Sequence, residues 1–165
     1  MSDNEGASNN ELLMAACKSD DLEMLEDVLS SDSKTINFID GPGNTALHYA
    51  ARHASTDCLE VLIYYDGIDV NIINRMDGET PLHKAAAYSD PDLALHMCKI
   101  LVERGADLQV KNKQKQTAAD KAFSDTHVEV KEYLETAALA TQFNPSDIAN
   151  DEDDSDSDGV PSDDE

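Results

Sequence analysis

The chain has 165 residues, enough for one domain of ordinary size, and 40% of them are hydrophobic. Thirty-five acidic residues against 12 basic ones give a formal net charge of −23, so neither a nucleic acid nor an anionic membrane is expected as a partner. The same charge would either attract a basic protein or serve only to keep the chain soluble.

The cysteines and the N-terminus indicate where the protein resides. Cys17, Cys58 and Cys98 are odd in number, widely spaced and placed within apolar helical stretches, which favours reduced thiols in a reducing compartment. The first ten residues hold no apolar signal segment, and no apolar run approaches 18 residues. We therefore expect a protein of the cytoplasm, the nucleus or both.

Two helices are predicted before any repetition is visible. Ser8, three residues ahead of Glu11, has the spacing of a capping box and precedes an apolar stretch. Asp21 opens a second, amphipathic helix, in which Leu22, Leu25 and Val28 share one face. The polar residues 1–9 are expected to be disordered.

A six-residue phrase then recurs along the chain. Residues 45–50 read Thr-Ala-Leu-His-Tyr-Ala, residues 80–85 read Thr-Pro-Leu-His-Lys-Ala, and a degenerate copy occupies residues 117–122. The spacings are 35 and 37 residues. A fixed period in this range is typical of stacked-repeat proteins, which usually present a binding surface instead of a catalytic pocket.

Each copy of the phrase follows a turn and precedes a second helix. Glycine, asparagine and aspartate mark the turns, threonine or Asp-Pro marks a helix start, and glycine marks the helix ends. The predicted helices start at Thr45 and run to about Arg52, then cover Cys58–Tyr65, a segment from Thr80, Pro91–Arg104, Thr117–Phe123 and Val128 to about Leu139.

This combination of a turn, a Thr-x-Leu-His-x-Ala helix, an amphipathic helix and Gly67-Ile-Asp-Val-Asn71 resembles the ankyrin repeat family. The match is best from residue 67 to residue 86. The resemblance implies an all-α solenoid of about four helix-turn-helix repeats with β-turn fingers. The expected domain covers residues 10–138, with repeats at about 10–40, 41–73, 74–109 and 110–138, and residues 139–165 form a disordered acidic tail.

The resemblance also implies structural roles for His48 and His83, whose imidazoles would hydrogen-bond the neighbouring turn. No phosphate loop, nucleophile elbow or dinucleotide fingerprint is present, and no histidine pair comes with a third ligand. We therefore expect no catalysis, no cofactor and no metal. An enzyme or a metal protein is the alternative of a different class.

The function implied is a protein–protein interaction module, expected as a monomer, that binds its partner on the concave surface. Met76 and Tyr88 are the expected apolar anchors, because exposed aromatic and methionine side chains concentrate binding energy. The positions expected to face the partner are Arg52, His53, Met76, Asp77, Glu79, Tyr88, Lys113 and Gln114.

Two alternatives stay open within binding proteins. The chain resembles small ankyrin proteins with acidic tails that escort a basic protein such as a ribosomal protein. It could also be an inhibitory or regulatory subunit of a kinase or proteasome complex, where ankyrin stacks also serve.

The C-terminal segment differs from the rest in composition. Residues 147–165 hold ten acidic residues and no basic one, which predicts disorder. Ser155, Ser157 and Ser162 precede acidic residues and resemble sites of acidophilic kinases. Lys111, Lys113 and Lys115 form a basic cluster that could relieve acidic repulsion, receive the acidic tail or bind phosphate.

Overall fold

The computed structural model describes residues 8–143. Within that range the chain forms helices and turns without a β-strand, and none of its helices is long and apolar enough to cross a membrane. The all-α prediction is confirmed. The helices are α1 (Asn9–Ser19), α2 (Leu22–Ser31), α3 (Ala46–Arg52), α4 (Thr56–Ile63), α5 (Pro81–Ala86), α6 (Pro91–Glu103), α7 (Ala118–Lys121) and α8 (Val128–Gln142), with a 3-10 helix at Ser33–Asn37.

The helices stack in pairs along one axis. The inner helices α1, α3, α5 and α7 contact one another in succession, and the outer helices α2, α4, α6 and α8 do the same behind them. Leu47 and Leu82 are fully buried between the layers, beside Ala50 and Ala85. Alanine at these positions lets neighbouring helices approach closely, so each repeat completes the core of the next.

Threonine starts each of the last three inner helices. The imidazole Nδ1 of His48 accepts a hydrogen bond from the Thr45 amide at 3.0 Å, and the Nδ1 of His83 accepts from the Thr80 amide at 3.2 Å. In the degenerate copy the Asp120 carboxylate replaces the imidazole and accepts from the Thr117 amide at 2.9 Å. Each arrangement satisfies an amide that the helix itself leaves unpaired.

The same two histidines connect successive repeats. Because Nδ1 is an acceptor, the proton lies on Nε2, and the Nε2 of His48 donates to the Glu79 carbonyl at 2.9 Å. The Nε2 of His83 donates to the Gln116 carbonyl at 3.0 Å. Burial lowers the pKa of His48 to about 4 and also lowers the pKa of His83. The structural role predicted for both residues is confirmed.

Asparagine side chains connect the repeats on the outer side. Asn37 donates to the Gly67 carbonyl at 2.6 Å and accepts from the Asp69 amide at 2.9 Å. One repeat later, Asn71 donates to the Gly105 carbonyl at 3.1 Å and accepts from the Asp107 amide at 2.8 Å. Both rows of bonds fix the spacing between repeats.

A turn, here called a finger, precedes each of the inner helices α3, α5 and α7; the fingers cover residues 40–44, 74–79 and 112–116. The Pro42 carbonyl accepts from the amides of Arg75 and Met76 at 3.0 and 3.1 Å. Gly43 has φ +96°, and a Cβ atom there would lie 2.3 Å from the Arg75 nitrogen. Lys115 occupies the corresponding place in the last finger with φ 67°, where no described finger follows to crowd its side chain.

Several predicted boundaries need correction. Helix α1 begins at Asn9 with Ser8 as its N-cap, so residues 8 and 9 do not belong to the disordered segment predicted for 1–9. Helix α4 covers Thr56–Ile63 in place of the predicted Cys58–Tyr65. Helix α8 continues to Gln142, so residues 139–142 belong to the helix and not to the tail that was predicted to start at 139. Leucine and alanine at 137–140 are strong helix formers, which accounts for the extension. Helix α7 is a single turn, shorter than the predicted Thr117–Phe123. The predicted disorder of residues 1–7 and 144–165 lies outside the described residues.

Replacing Gly43 by alanine should lower the free energy of unfolding by about 2–3 kcal/mol. The new Cβ atom would force apart the two fingers at the Arg75 amide and would strain a left-handed backbone. Urea denaturation measures the change. Gly41→Ala is the matched control, because nothing lies within 4 Å of its added Cβ atom. Equal stability of the two variants would contradict the close packing of the fingers.

Candidate partner-binding groove

An open cleft of about 510 Å³ lies between the third-repeat finger (residues 74–79) and the ends of α3 and α5. It gathers five of the eight residues predicted to face a partner. Its lining residues are Arg52, Met76, Asp77, Glu79, Lys84, Ala87, Tyr88, Ser89 and Lys121. Contributions from three successive repeats therefore form one continuous surface.

Two side chains on the rim of this cleft are exposed. The Met76 side chain, at the tip of its finger, is 61% exposed, and Arg52 is exposed at the end of α3. Within residues 8–143 no carboxylate lies within ion-pair distance of the Arg52 guanidinium. Tyr88 is half-buried and packs against the core. The cleft thus offers apolar contact together with a positive charge that no carboxylate of the described residues pairs.

Glu79 was predicted to face a partner; it lines the cleft, but as a buried residue. Its side chain is only 3% exposed. One carboxylate oxygen lies 3.0 Å from the Lys84 ammonium, and the other lies 3.0 Å from both the Lys121 ammonium and the Asn112 amide nitrogen. The carboxylate therefore forms the floor of the groove.

The floor is a charged network that spans two repeats. Burial raises the pKa of Glu79, but hydrogen bonds from Asn112, Lys121 and Lys84 outweigh burial and hold the pKa at about 2. Burial lowers the pKa of Lys84, and its contacts with Asp77 and Glu79 more than compensate, so the net shift is upward. Glu79 and Lys84 are therefore both charged at neutral pH, which gives the groove a polar base.

The other three predicted residues do not line the cleft. His53 follows α3, is exposed and stacks on Tyr49 with ring centroids 6.5 Å apart. Burial and the nearby charge of Arg52 lower the pKa of His53. Lys113 and Gln114 are exposed in the fourth-repeat finger, where the Lys113 ammonium donates to the Arg75 carbonyl at 2.6 Å. Lys113 therefore supports the neighbouring finger.

A second cleft, of about 450 Å³, continues the groove into the fourth repeat and shares Ala87 and Lys121 with the first. Phe123 on its wall is 51% exposed, and Lys131 lies beside it. The sequence prediction missed this extension, because the phrase that locates groove positions is degenerate here. An aromatic residue directly after the degenerate copy was the available signal.

His127 is a further residue that the sequence did not single out. It is 1% exposed, and its Nε2 lies 2.6 Å from the Tyr88 carbonyl oxygen. This bond joins the last inter-helix loop to the segment that carries Tyr88. His127 lies outside the Thr-x-Leu-His phrase, so the period gave no indication of its role.

The described residues contain no metal-binding group and three buried thiols. Between residues 8 and 143, no group of three or more His, Cys, Asp and Glu side chains could hold a metal ion. The three cysteines are free and buried, and burial raises the pKa of Cys98 to about 12. The predicted phosphorylation sites Ser155, Ser157 and Ser162 lie outside the described residues.

Replacing Glu79 by glutamine should lower the free energy of unfolding by about 1–3 kcal/mol at pH 7, because Lys84 and Lys121 lose their shared partner. The folded pKa of about 2 lies below the value of about 4.3 for an unfolded glutamate. The wild-type advantage is therefore complete above the unfolded pKa and is lost as the pH falls towards 2. Urea titrations between about pH 7 and pH 3 measure this difference.

Glu26→Gln, an exposed change on α2, is the matched control and should alter stability little at any of these pH values. If the difference in unfolding free energy between wild type and E79Q stayed constant as the pH falls, the ionised state assigned to Glu79 would be contradicted.

Comparison with known proteins agrees with this architecture. A family model described as ankyrin repeats (3 copies) matches residues 2–74, and a model of the single ankyrin repeat matches residues 77–113. The ankyrin repeat-containing protein YGL242C of Saccharomyces cerevisiae is 35% identical over 170 residues, covering 96% of this chain and 94% of the yeast protein.

Other relatives share only a portion of their length with this chain. Protein phosphatase 1 regulatory subunit 12A of Mus musculus is 45% identical over 83 residues, which cover 50% of this chain and 8% of that protein. The E3 ubiquitin-protein ligase hecd-1 of Caenorhabditis elegans is 31% identical over 127 residues, covering 75% of this chain and 4% of the ligase. With both family models and a relative of nearly equal length in agreement, the chain belongs to the ankyrin repeat family.

Proposed function

We propose that the chain is a non-catalytic adaptor that binds a segment of a partner protein in the groove between its fingers and inner helices. Ankyrin repeats serve in general as protein-interaction modules. The observation that carries the proposal is the convergence of Arg52, Met76 and Tyr88 on one cleft. Arg52 belongs to the second repeat and Met76 and Tyr88 to the third, and none of them is required by the repeat phrase.

The chemistry of the groove defines the partner segment. The acids and lysines of the floor are already paired with one another, so they add little attraction for a ligand. Met76, Tyr88 and Phe123 supply apolar contacts along the groove, and apolar and aromatic anchors dominate binding energy in protein interfaces. A segment with spaced apolar side chains fits this surface.

We place the protein, as a monomer, in the cytoplasm, the nucleus or both.

A second candidate function is the escort of a basic protein. The net charge of −23 and the ten acidic residues of segment 147–165 support it. Charge complementarity of this kind accelerates association and weakens as salt rises. A regulatory subunit is the other alternative; the similarity to a phosphatase regulatory subunit supports it, over 8% of that protein's length.

Changing Met76 and Tyr88 together to alanine should weaken partner binding at least about tenfold, because two anchors of more than about 1 kcal/mol each are lost. Affinity purification with quantitative mass spectrometry identifies the partners retained by the wild-type chain, and calorimetry on the purified partner then measures affinity. The circular dichroism spectrum should stay unchanged, since Met76 is largely exposed and Tyr88 is only partly buried at the edge of the core.

Tyr64→Ala with Val128→Ala is the matched control. Both side chains are about half exposed or more, and both lie away from the cleft. Undiminished binding by the Met76/Tyr88 variant, or equal loss in both variants, would rule out the groove as the binding site.

Deletion of residues 147–165 distinguishes the adaptor proposal from the escort proposal. If the acidic segment engages a basic partner, the deletion should reduce affinity several-fold at low salt and much less at high salt, since screening removes the attraction. Titrations at about 0.05 and 0.5 M salt measure this. The escort proposal would be rejected if the deletion had the same effect at both salt concentrations.

A further inference from the structure

The last repeat leaves an apolar groove open. This end groove, about 340 Å³ in volume, lies between the segment just before the fourth-repeat finger (Leu108 and Gln109), α7 with its N-cap Thr117, and the C-terminal half of α8. Leu134 at its base is buried, and Leu139 on its wall is 55% exposed. The residues that line the end groove are Leu108, Gln109, Thr117, Ala119, Asp120, Leu134, Glu135, Ala138, Leu139 and Gln142. No further repeat covers these residues within 8–143.

The fourth-repeat finger and Lys111 just before it form a basic segment in a chain that is otherwise strongly acidic. Residues 108–119 contain three lysines and no acidic residue. Lys111, Lys113 and Lys115 are all exposed. Among the described residues, no carboxylate lies within ion-pair distance of any of their ammonium groups. This finger therefore offers concentrated positive charge at the surface.

The last residue of α8 lines the end groove, whose other walls flank the basic finger. Gln142, the last residue of α8, lines the same groove as Thr117 and Gln109. The following segment, residues 144–165, carries Ile148 and then a dense acidic run from Asp151. Asp151 lies eight residues beyond Phe143, a stretch that can span up to about 26 Å when extended. The acidic run therefore begins within reach of the lysines.

We propose that residues 144–165 dock on the end of their own repeat stack, with Ile148 in the end groove and the acidic residues 151–158 along Lys111, Lys113 and Lys115. A short tether holds the segment near its site at an effective concentration in the millimolar range. Weak individual charge pairs are then sufficient for contact. The rest of the acidic stack repels the segment, which favours this one location.

Docking in cis would cover the apolar end of the solenoid, as capping repeats do in longer arrays. Phosphate on Ser155 or Ser157 would strengthen it by adding charge opposite the lysines. The inference does not rest on partner binding in the groove lined by Met76 and Tyr88, since the two surfaces use different residues.

Paramagnetic relaxation enhancement tests this contact in the full chain. A nitroxide is attached to Ser157→Cys; the native Cys17, Cys58 and Cys98 are buried and protected from labelling. At low salt, the amide signals of residues 108–117 and 138–142 should lose most of their intensity, while those of the first two repeats keep it. At 1 M salt, where the Debye length is about 3 Å, the intensity should return.

Charge reversal of the lysines provides a second test, with a matched control variant. Lys111→Glu with Lys115→Glu should abolish the local intensity loss, and it leaves Lys113 in place because that side chain supports the third-repeat finger. Lys34→Glu with Lys99→Glu changes two exposed lysines of other repeats and should retain the loss. Amide spectra without the label check that both variants remain folded.

Three outcomes would overturn the proposal. The first is uniform intensity loss, or none, across the stack. The second is an equal effect of the two charge-reversal variants. The third is intensity loss on isotope-labelled chains caused by nitroxide on separate, isotope-free chains, which would identify a second copy as the occupant of the end groove.

Discussion

The hydrogen bond from a buried histidine to the backbone of the next finger sets the register on which the other features depend. The Nε2 of His48 reaches the Glu79 carbonyl, while the carboxylate of the same glutamate binds Lys84 in its own repeat and Lys121 in the next. Glu79 thus joins three repeats through its backbone and its side chain. If the finger shifted, the floor of the groove and the positions of Met76 and Asp77 would shift with it.

The C-terminal end of the stack shows what the hydrogen bond from the histidine to the next finger requires. Asp120 replaces the histidine in the last copy and still caps α7 through the Thr117 amide, but a carboxylate cannot donate a proton to a further finger. Lys115 replaces the finger glycine and adopts a left-handed conformation. Either change would be harmful inside the array, where Gly43 has no room for a Cβ atom. Degeneration of the phrase therefore marks where stacking ends.

Much of the fold could be predicted from the sequence because the repeat phrase encodes local geometry. The period located both bridging histidines, the fingers, the helix pairs and the exposed position of Met76. The burial of Glu79 could not be predicted, since it depends on Asn112 and Lys121, which lie 33 and 42 residues further along the chain. The groove beside Phe123 was missed for a related reason: the phrase is too degenerate there to show which positions face outward.

The most direct test of the register is the protonation state of His48, followed by long-range nitrogen–proton NMR across a pH titration. The bond to Glu79 predicts a neutral imidazole protonated on Nε2, with a pKa of about 4 because burial disfavours the charged form. A His48 ring that titrates near 6.5, the value of a free histidine, or that carries its proton on Nδ1, would contradict the account.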